Sequence, residues 1–504
     1  MAYTTLINIY NDNSTTMLKC FSTVALIMMM ATTIMAQEPY PCGTGNYFSP
    51  WLKRYQENPI SYRTNGDTLY LPIQLHIVGT DEGSGYYAPR FILESFCKLN
   101  ADFAHTGIQF YMANDWNYIN NSTYYDHDFQ QGAQMMNFNN VPNAINCYVV
   151  LSPAGNCGYF MPSRDGIALN KGCMGGSSST WAHEIGHYLS LPHPFVGWEG
   201  QEDVDYNEPA PNFIGNRQVE RVDGSNCGNA ADRFCDTAPD YLSFRWSCSS
   251  SDSSQVLQTD PNGETFRSDG SLIMSYSNDD CAQRFSEEQI DAMYANVYQE
   301  RTDLLSDIAC LPPIADYSAL FLSPAEGEQV PDYTTVDLSW EDVPNATHYI
   351  VHVNFIPIFS GAIDEYVVDE PSITLTNLNP DRNYWWRVLP YNEFQTCTEY
   401  LDTSQFNTSL ATNISILEQE TDFQIYPNPL SSSDYLNMSF YLSESTSVSY
   451  RIFHPNGQLV KAEEMDLGSG RQLLKVGVEN LPQNIYLLEL NLPEGTLYKK
   501  LSIL

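Results

Sequence analysis

The sequence predicts an α+β domain followed by two all-β sandwich domains. Three observations carry this. One region of about 240 residues alternates strand and helix patterns in the order β-α-β-β-β-α. The next hundred are strand-like, with turn residues every 8–12 positions. The last 80 return to period-two alternation. At roughly 150 residues per domain, a chain of 504 residues holds about three. With 43% hydrophobic and 13% aromatic residues there is material for real cores, which excludes a disordered acidic chain. The 61 acidic and 23 basic side chains give a formal charge of −38. That argues against nucleic acid or an anionic membrane as partner, because phosphates need Lys and Arg.

Met17-Leu18-Lys19 opens an apolar run from Cys20 to Ala36. One positive charge, a short apolar stretch and a small residue at its end describe a secretory signal over residues 1–36. The run is short for a membrane anchor and no basic cluster follows, so the mature chain is expected to hold no transmembrane segment. Export makes disulfides expected. Without Cys20 an odd number of cysteines is left, so at least one thiol is free, intermolecular or ligand-bound.

Leu69–Val78 alternates and is β-branched, a strand. In Pro89–Ala104, Ile92, Phe96, Leu99 and Phe103 share one helix face. Ile108–Met112, Ala144–Leu151 and Asp165–Leu169 read as strands, and a helix is expected from about Thr180 to Leu189. Ser286 and Gln289 make a capping box before a last helix bearing Ile290, Met293 and Val297 on one side. Leu311-Pro312-Pro313 reads as a linker, and Thr408–Glu420 as a second.

The densest chemistry lies in His183-Glu184-Ile185-Gly186-His187-Tyr188-Leu189-Ser190-Leu191-Pro192-His193. Positions i and i+4 of a helix lie one above the other, so His183 and His187 can offer two imidazoles to one zinc ion. Glu184 sits beside the metal without being forced to ligate it. Trp181, Ile185 and Leu189 form the opposite, buried face. Pro192 cannot continue the helix, so the chain turns and can return His193 as a third ligand. A downstream Glu as third ligand is the alternative. In such a site zinc lowers the pKa of a water, and Glu184 is the general base that takes its proton.

HEIGHYLSLPH resembles the metzincin zinc signature HExxHxxGxxH, with Ser190 where that pattern has glycine. Other segments resemble the pappalysin (cytophagalysin) metzincins. Ser271-Leu272-Ile273-Met274-Ser275-Tyr276 looks like the Met-turn, which places Met274 beneath the zinc; Tyr276 looks like the tyrosine that steadies the oxyanion. Asp223–Cys227 and Asp232–Pro239 are similar to that family's calcium region. The resemblance implies Asp232, Asp236 and Thr237 as oxygen donors to structural Ca²⁺, with Ala238 inserted. Cys42-Gly43-Thr44 looks like a cysteine switch, in which Cys42 takes the fourth zinc position; a disulfide or inert thiol is the other reading. The resemblance covers residues 40–310 and implies a metzincin-like zinc protease domain, a twisted mixed sheet plus an active-site helix.

Leu338-Ser339-Trp340 and Leu378-x-Pro380-x-x-x-Tyr384 resemble the strand-B tryptophan and tyrosine corner of a fibronectin type III module. Phe423-Gln424-Ile425-Tyr426-Pro427-Asn428-Pro429 and the terminal Lys499-Lys500 look like the C-terminal sorting domain of type IX secretion. The expected organisation is a signal (1–36), a pro-segment (37–63), a catalytic domain (64–312), a fibronectin-like domain (316–409) and an immunoglobulin-like sorting domain (417–504). The expected protein is secreted or cell-surface, exported through periplasm and outer membrane. It is read as a zinc endopeptidase made as a zymogen, with protein or peptide substrates and the type IX machinery as partners. The rivals are an inactive adhesin that keeps the fold, and a zinc hydrolase of non-peptide bonds.

Overall fold

The computed structural model describes residues 40–504, apart from 64–66, 202, 307–309, 316, 318–321, 362, 410–416, 418–420, 432–434 and 480. The expected signal peptide and the first residues of the expected pro-segment therefore lie outside the described residues.

The chain enters through α1 (Pro50–Glu57). Ser49 caps it by accepting from the Leu52 amide, Pro50 opens it, and Trp51, Leu52 and Tyr55 are buried. β1 (Leu69–Gly79) follows, buried along almost its whole length. α2 (Pro89–Phe103) turns Ile92, Phe96, Leu99 and Phe103 into the core, as its periodicity predicts. Gly107, at φ 78°, makes the turn into β2 (Ile108–Met112). Next come β3 (Asn117–Asn120), α3 (Phe129–Asn139), β4 (Ile145–Val150), β5 (Gly158–Met161) and β6 (Gly166–Asn170). α4 (Thr180–Tyr188) carries the histidines, and α5 (Glu287–Glu300) starts at the predicted Ser286/Gln289 capping box.

The sheet order is β2-β1-β4-β6-β5, and β3 extends the β2 edge against the far half of β1. β2, β1, β4 and β6 run parallel; β5 alone is antiparallel and forms an edge. Central parallel strands are covered on both faces, which is why β1 and β4 read as nearly unbroken apolar runs. α4 lies against β5 and β6, which sets the histidines beside the antiparallel edge.

Residues from about 322 to 408 form a two-sheet sandwich. One sheet holds Leu322–Ser323, Thr335–Trp340 and Ser372–Thr376; the other is built on His348–Asn354 and Arg382–Tyr391. Trp340 and Trp386 meet in its core, and the Tyr384 hydroxyl accepts from the Asn379 amide at 2.8 Å, the local geometry of a tyrosine corner. This sandwich is not a loose appendage. Ile350, Leu389 and Tyr391 join the core of the first domain, Tyr111 stacks on Phe394, and Cys97 is disulfide-bonded to Cys397. Residues 424–503 form a second sandwich, of three and four strands, around a separate core. No helix among the described residues is long and apolar enough to cross a membrane.

Three further disulfides join Cys157 to Cys173, Cys227 to Cys235 and Cys248 to Cys281. Cys42, Cys147 and Cys310 stay free.

His76, on β1, is fully buried between Asn146 and Asn117 and stacks on Tyr148. Its Nε2 faces the Asn146 carbonyl oxygen at 3.0 Å and its Nδ1 accepts from the Asn117 amide at 2.9 Å, which suits the neutral ring. Burial pushes its pKa down to about 4. Below pH 6.5 the unfolded chain binds a proton that the fold refuses, so stability falls as pH drops through 6.5 toward 4, by at most on the order of 3 kcal/mol. His76→Gln is expected to be less stable than wild type at pH 7, with the gap narrowing at pH 4.5. Urea unfolding at the two pH values checks this; a gap constant with pH would refute it.

Candidate metal centre

All nine residues of α4 are buried, including His183, Glu184 and His187. The helix ends where the Leu189 amide still bonds Ile185, and Ser190 then adopts φ 77°. That is the left-handed turn a glycine makes easily and other residues make at a cost of about 1 kcal/mol. Here the Ser190 hydroxyl accepts from Asn296 on α5 at 2.8 Å, and the Leu191 amide bonds the Gly186 carbonyl at 2.9 Å. The turn is thus held by its side chain as well as its backbone, and it delivers His193 to the other two rings.

Each ring is anchored through Nδ1. His183 faces the Ile273 carbonyl at 2.8 Å, His187 the Leu191 carbonyl at 2.8 Å, and His193 the Glu199 carboxylate at 3.0 Å. Carbonyl and carboxylate oxygens only accept, so each Nδ1 carries a proton and each Nε2 is turned to the common point. Burial, then the neighbouring rings, pushes the His183 pKa down to about 3 and that of His187 well down, so neither ring takes a second proton at neutral pH. The Nε2 atoms of His183 and His187 lie 3.2 and 3.0 Å from that of His193. Bare lone pairs at this spacing repel unless a cation sits between them. Tetrahedral zinc at 2.0–2.1 Å from each nitrogen needs about 3.3 Å between ligands, so the donor set fits zinc.

Cys42 joins the set. Its sulfur and the three ring nitrogens all lie within 4.8 Å of one another, and all four residues are buried. Burial, then the charge of Glu184, pushes the Cys42 thiol up, so a thiolate here requires a cation beside it. Residues 40–44 lie along the β5 edge: the Gly43 amide bonds the Gly158 carbonyl at 2.8 Å, and the Phe160 amide donates to the Thr44 hydroxyl at 2.9 Å. A side chain on Gly43 would strike Asn156, so this close approach requires glycine.

Glu184 is fully buried. Oε2 accepts from the Thr44 hydroxyl at 3.2 Å, and Oε1 has no hydrogen-bond partner among the described residues. Burial pushes its pKa up to about 8, partly offset by hydrogen bonds from Cys42 and Thr44. Gly158 leaves the space that Glu184 fills. Met274 is buried with its sulfur against Gly186, on the helix that bears the ligands. Its loop is pinned by Asp240, a buried carboxylate that accepts from Ser268 and Ser275. The Tyr276 hydroxyl donates to the Cys42 carbonyl at 3.3 Å.

The oxygen donors expected for calcium are engaged in hydrogen bonds. Asp232 and Thr237 meet, with the Thr237 hydroxyl donating to the Asp232 carboxylate at 3.1 Å. Asp236 accepts from the Ser286 hydroxyl at 2.7 Å and the Glu288 amide at 2.8 Å, capping α5. A helix N-terminus competes for the same carboxylate that a hard cation would take, and here the helix holds it. Two residues beside the metal set escaped sequence reasoning. Glu199 reads as one acid in a run from Glu199 to Glu208, where a solvated loop is expected, yet it orients His193. Thr44 carried no signal beyond its place after Cys42-Gly43.

Residues 424–504 match the secretion system C-terminal sorting domain. The chain is similar to a protein named extracellular metalloprotease from Colletotrichum graminicola, 26% identical over 150 residues, covering 26% of this chain and 53% of that protein. The chain thus spans about half the length of the curated relative it matches. Solved structures with local likeness include the FN1–FN3 domains of chicken CNTN1, 12% identical over 38% of this chain and 68% of that one, TM-score 0.20. The fn3 domain of human collagen α-1(XX) is 24% identical over 21% and 94%, TM-score 0.15. Scores this low bear no functional weight. The protein is secreted or displayed at the cell surface.

Glu199→Gln keeps the volume but removes the charge that fixes the His193 ring. Zinc affinity, measured by competition with a chromophoric chelator, is expected to fall about 10–100-fold with the fold intact. An unchanged affinity would show that Glu199 is not the anchor of His193.

Proposed function

We propose that this protein is a secreted zinc-dependent endopeptidase of the pappalysin type of metzincin, held latent by its own segment 40–44 and exported by type IX secretion. One observation carries the reading. Three rings anchored through Nδ1 turn bare Nε2 atoms to a common point, and a buried carboxylate that ligates nothing, Glu184, lies beside them. A distant likeness to an extracellular metalloprotease supports it.

His183, His187 and His193 would hold the zinc, which supplies electrophilic charge to a substrate carbonyl and to an attacking water. Glu184 receives the water's proton on its carboxylate and returns it to the leaving amine. Its buried setting, which favours the protonated form, suits a group that must both accept and release a proton near neutral pH. Tyr276 donates its hydroxyl to the carbonyl oxygen as charge develops there, in the way it now donates to the Cys42 carbonyl. The β5 edge supplies backbone partners for an extended peptide, the role it now plays for residues 40–44. In the full chain the Cys42 sulfur takes the place a water needs, and Thr44 occupies Glu184.

A second reading rests on the same closure. One cysteine and three histidines with no open position is also the form of a structural zinc site, in a protein that only adheres. Such a site has no need of a buried carboxylate at its side with one oxygen left unpartnered. Two variants separate the readings. Cys42→Ala in the full chain is expected to raise casein cleavage at least about tenfold over wild type, and adding Glu184→Ala is expected to lower kcat/KM by about 10²–10⁴-fold with bound zinc unchanged. Zinc content and cleavage are measured on the same samples. Cys42→Ala that binds zinc yet cleaves no peptide would favour adhesion.

A further inference from the structure

In a chain with 61 acidic and 23 basic residues, one cavity is lined only by positive charge. It has a volume of about 510 Å³ and lies at the seam between residues 48–53 and residues 213–233. Lys53 comes from α1, and Arg217 and Arg233 from the opposite wall; no carboxylate lines it. The N-terminal end of α1, at Ser49 and Pro50, also lines it and adds its partial positive charge.

The two guanidiniums are poorly satisfied. Arg217 donates once, at 3.5 Å, to the Ala231 carbonyl and lies over the Phe48 ring. Burial pushes its pKa down; the charge of Glu199 offsets part of this and that of Arg233 adds to it. Arg233 gives Nε to the Gly228 carbonyl at 3.2 Å and Nη2 to Asn229 at 3.5 Å, while Nη1 is buried with no partner among the described residues. A buried donor without an acceptor is costly, and a second cation on the same wall adds to that cost. Phe213 and Asn216 on the rim are exposed, so the cavity can be reached from solvent.

We propose that this cavity is an oxyanion site, in which Arg217, Arg233 and Lys53 take a carboxylate or a phosphate-like group. Planar guanidinium forks suit such groups, and the anion supplies the acceptor that Arg233 Nη1 lacks. The cations come from both sides of the seam, so a bound oxyanion bridges segment 48–53 to the body of the first domain. Occupancy depends on no catalytic activity, and the site would stand if the protein cleaved nothing.

The test is calorimetric titration of the full chain with inorganic phosphate and, separately, with acetyl-Glu-Glu-amide. Saturable binding of either supports the site, and the tighter of the two tells a free oxyanion from an acidic side chain. Arg233→Gln and Arg217→Gln are each expected to weaken that binding at least about tenfold. Lys53→Gln, an exposed helix position that leaves the core untouched, is expected to weaken it by a smaller factor and keeps the test informative if an arginine variant fails to fold. Phosphate is also expected to raise the thermal midpoint of wild type more than that of Lys53→Gln. Binding of neither ligand, or binding unmoved by all three substitutions, would overturn the assignment.

Discussion

Three bare imidazole nitrogens packed around one buried point are the constraint on which the rest of this domain depends. Three buried ring nitrogens about 3 Å apart cannot all find acceptors or donors among themselves. The fold must hold them there, and it does so one ring at a time. The Ile273 carbonyl comes from the Met274 loop, the Leu191 carbonyl from the turn after α4, and the Glu199 carboxylate from the loop beyond it. Each anchor fixes a tautomer as well as an orientation, which is how outer groups tune a metal site. The Met274 loop is fixed in turn by Asp240, so a buried acid that bonds none of the rings still bears on where His183 points.

Close approach does the rest, and glycine permits it. Gly186 lets Met274 press against α4, Gly158 lets Glu184 lie flat beside the sheet edge, and Gly43 lets the incoming segment reach Asn156. At the one place where glycine is expected and serine is found, a hydrogen bond to Asn296 compensates for the backbone conformation. That bond also ties the turn leading to His193 to α5, which Asp236 caps from the loop that the resemblance assigns to calcium. The site is therefore braced from three directions by elements far apart in sequence.

How much of this was legible follows from range. α2 could be read because its four core residues repeat at helical spacing, and β1 and β4 because burial on both faces leaves unbroken apolar runs. The ligand spacing of His183, His187 and His193 is local, so the histidines declared themselves. The odd cysteine count marked a special thiol, and the structure puts Cys42 next to the rings, with Cys147 and Cys310 also free. β5 was missed: four residues beginning with glycine show no period, and the strand exists because β6 pairs with it. Glu199 was missed because an acid in an acidic run looks solvated until tertiary structure gives it a partner. That Asp236 caps α5 could not be read locally, because carboxylates serve cations and helix ends alike. The packing of the second domain on the first, through Cys97–Cys397 and Tyr391, left no local trace at all.

The expected pro-segment divides, in energetic terms, into two unequal parts. α1 buries Trp51, Leu52 and Tyr55 in the core of the first domain, and burying side chains of this size stabilises by about 1.5–3 kcal/mol each. Residues 40–44 hold on by a few backbone bonds and the Thr44 contacts, each worth about 0.5–1.5 kcal/mol net. Joined to α1, this arm is presented to the β5 edge at high effective concentration and needs little intrinsic affinity. Severed from α1, it would keep those bonds and the place of the Cys42 sulfur beside the three rings, but lose the advantage of the tether. Between the two parts, Gly45 and Asn46 form a turn, with Asn46 exposed and open space around Gly45. Latency on this reading belongs to the arm alone, while α1 behaves as part of the folded body and also supplies one wall of the cationic cavity.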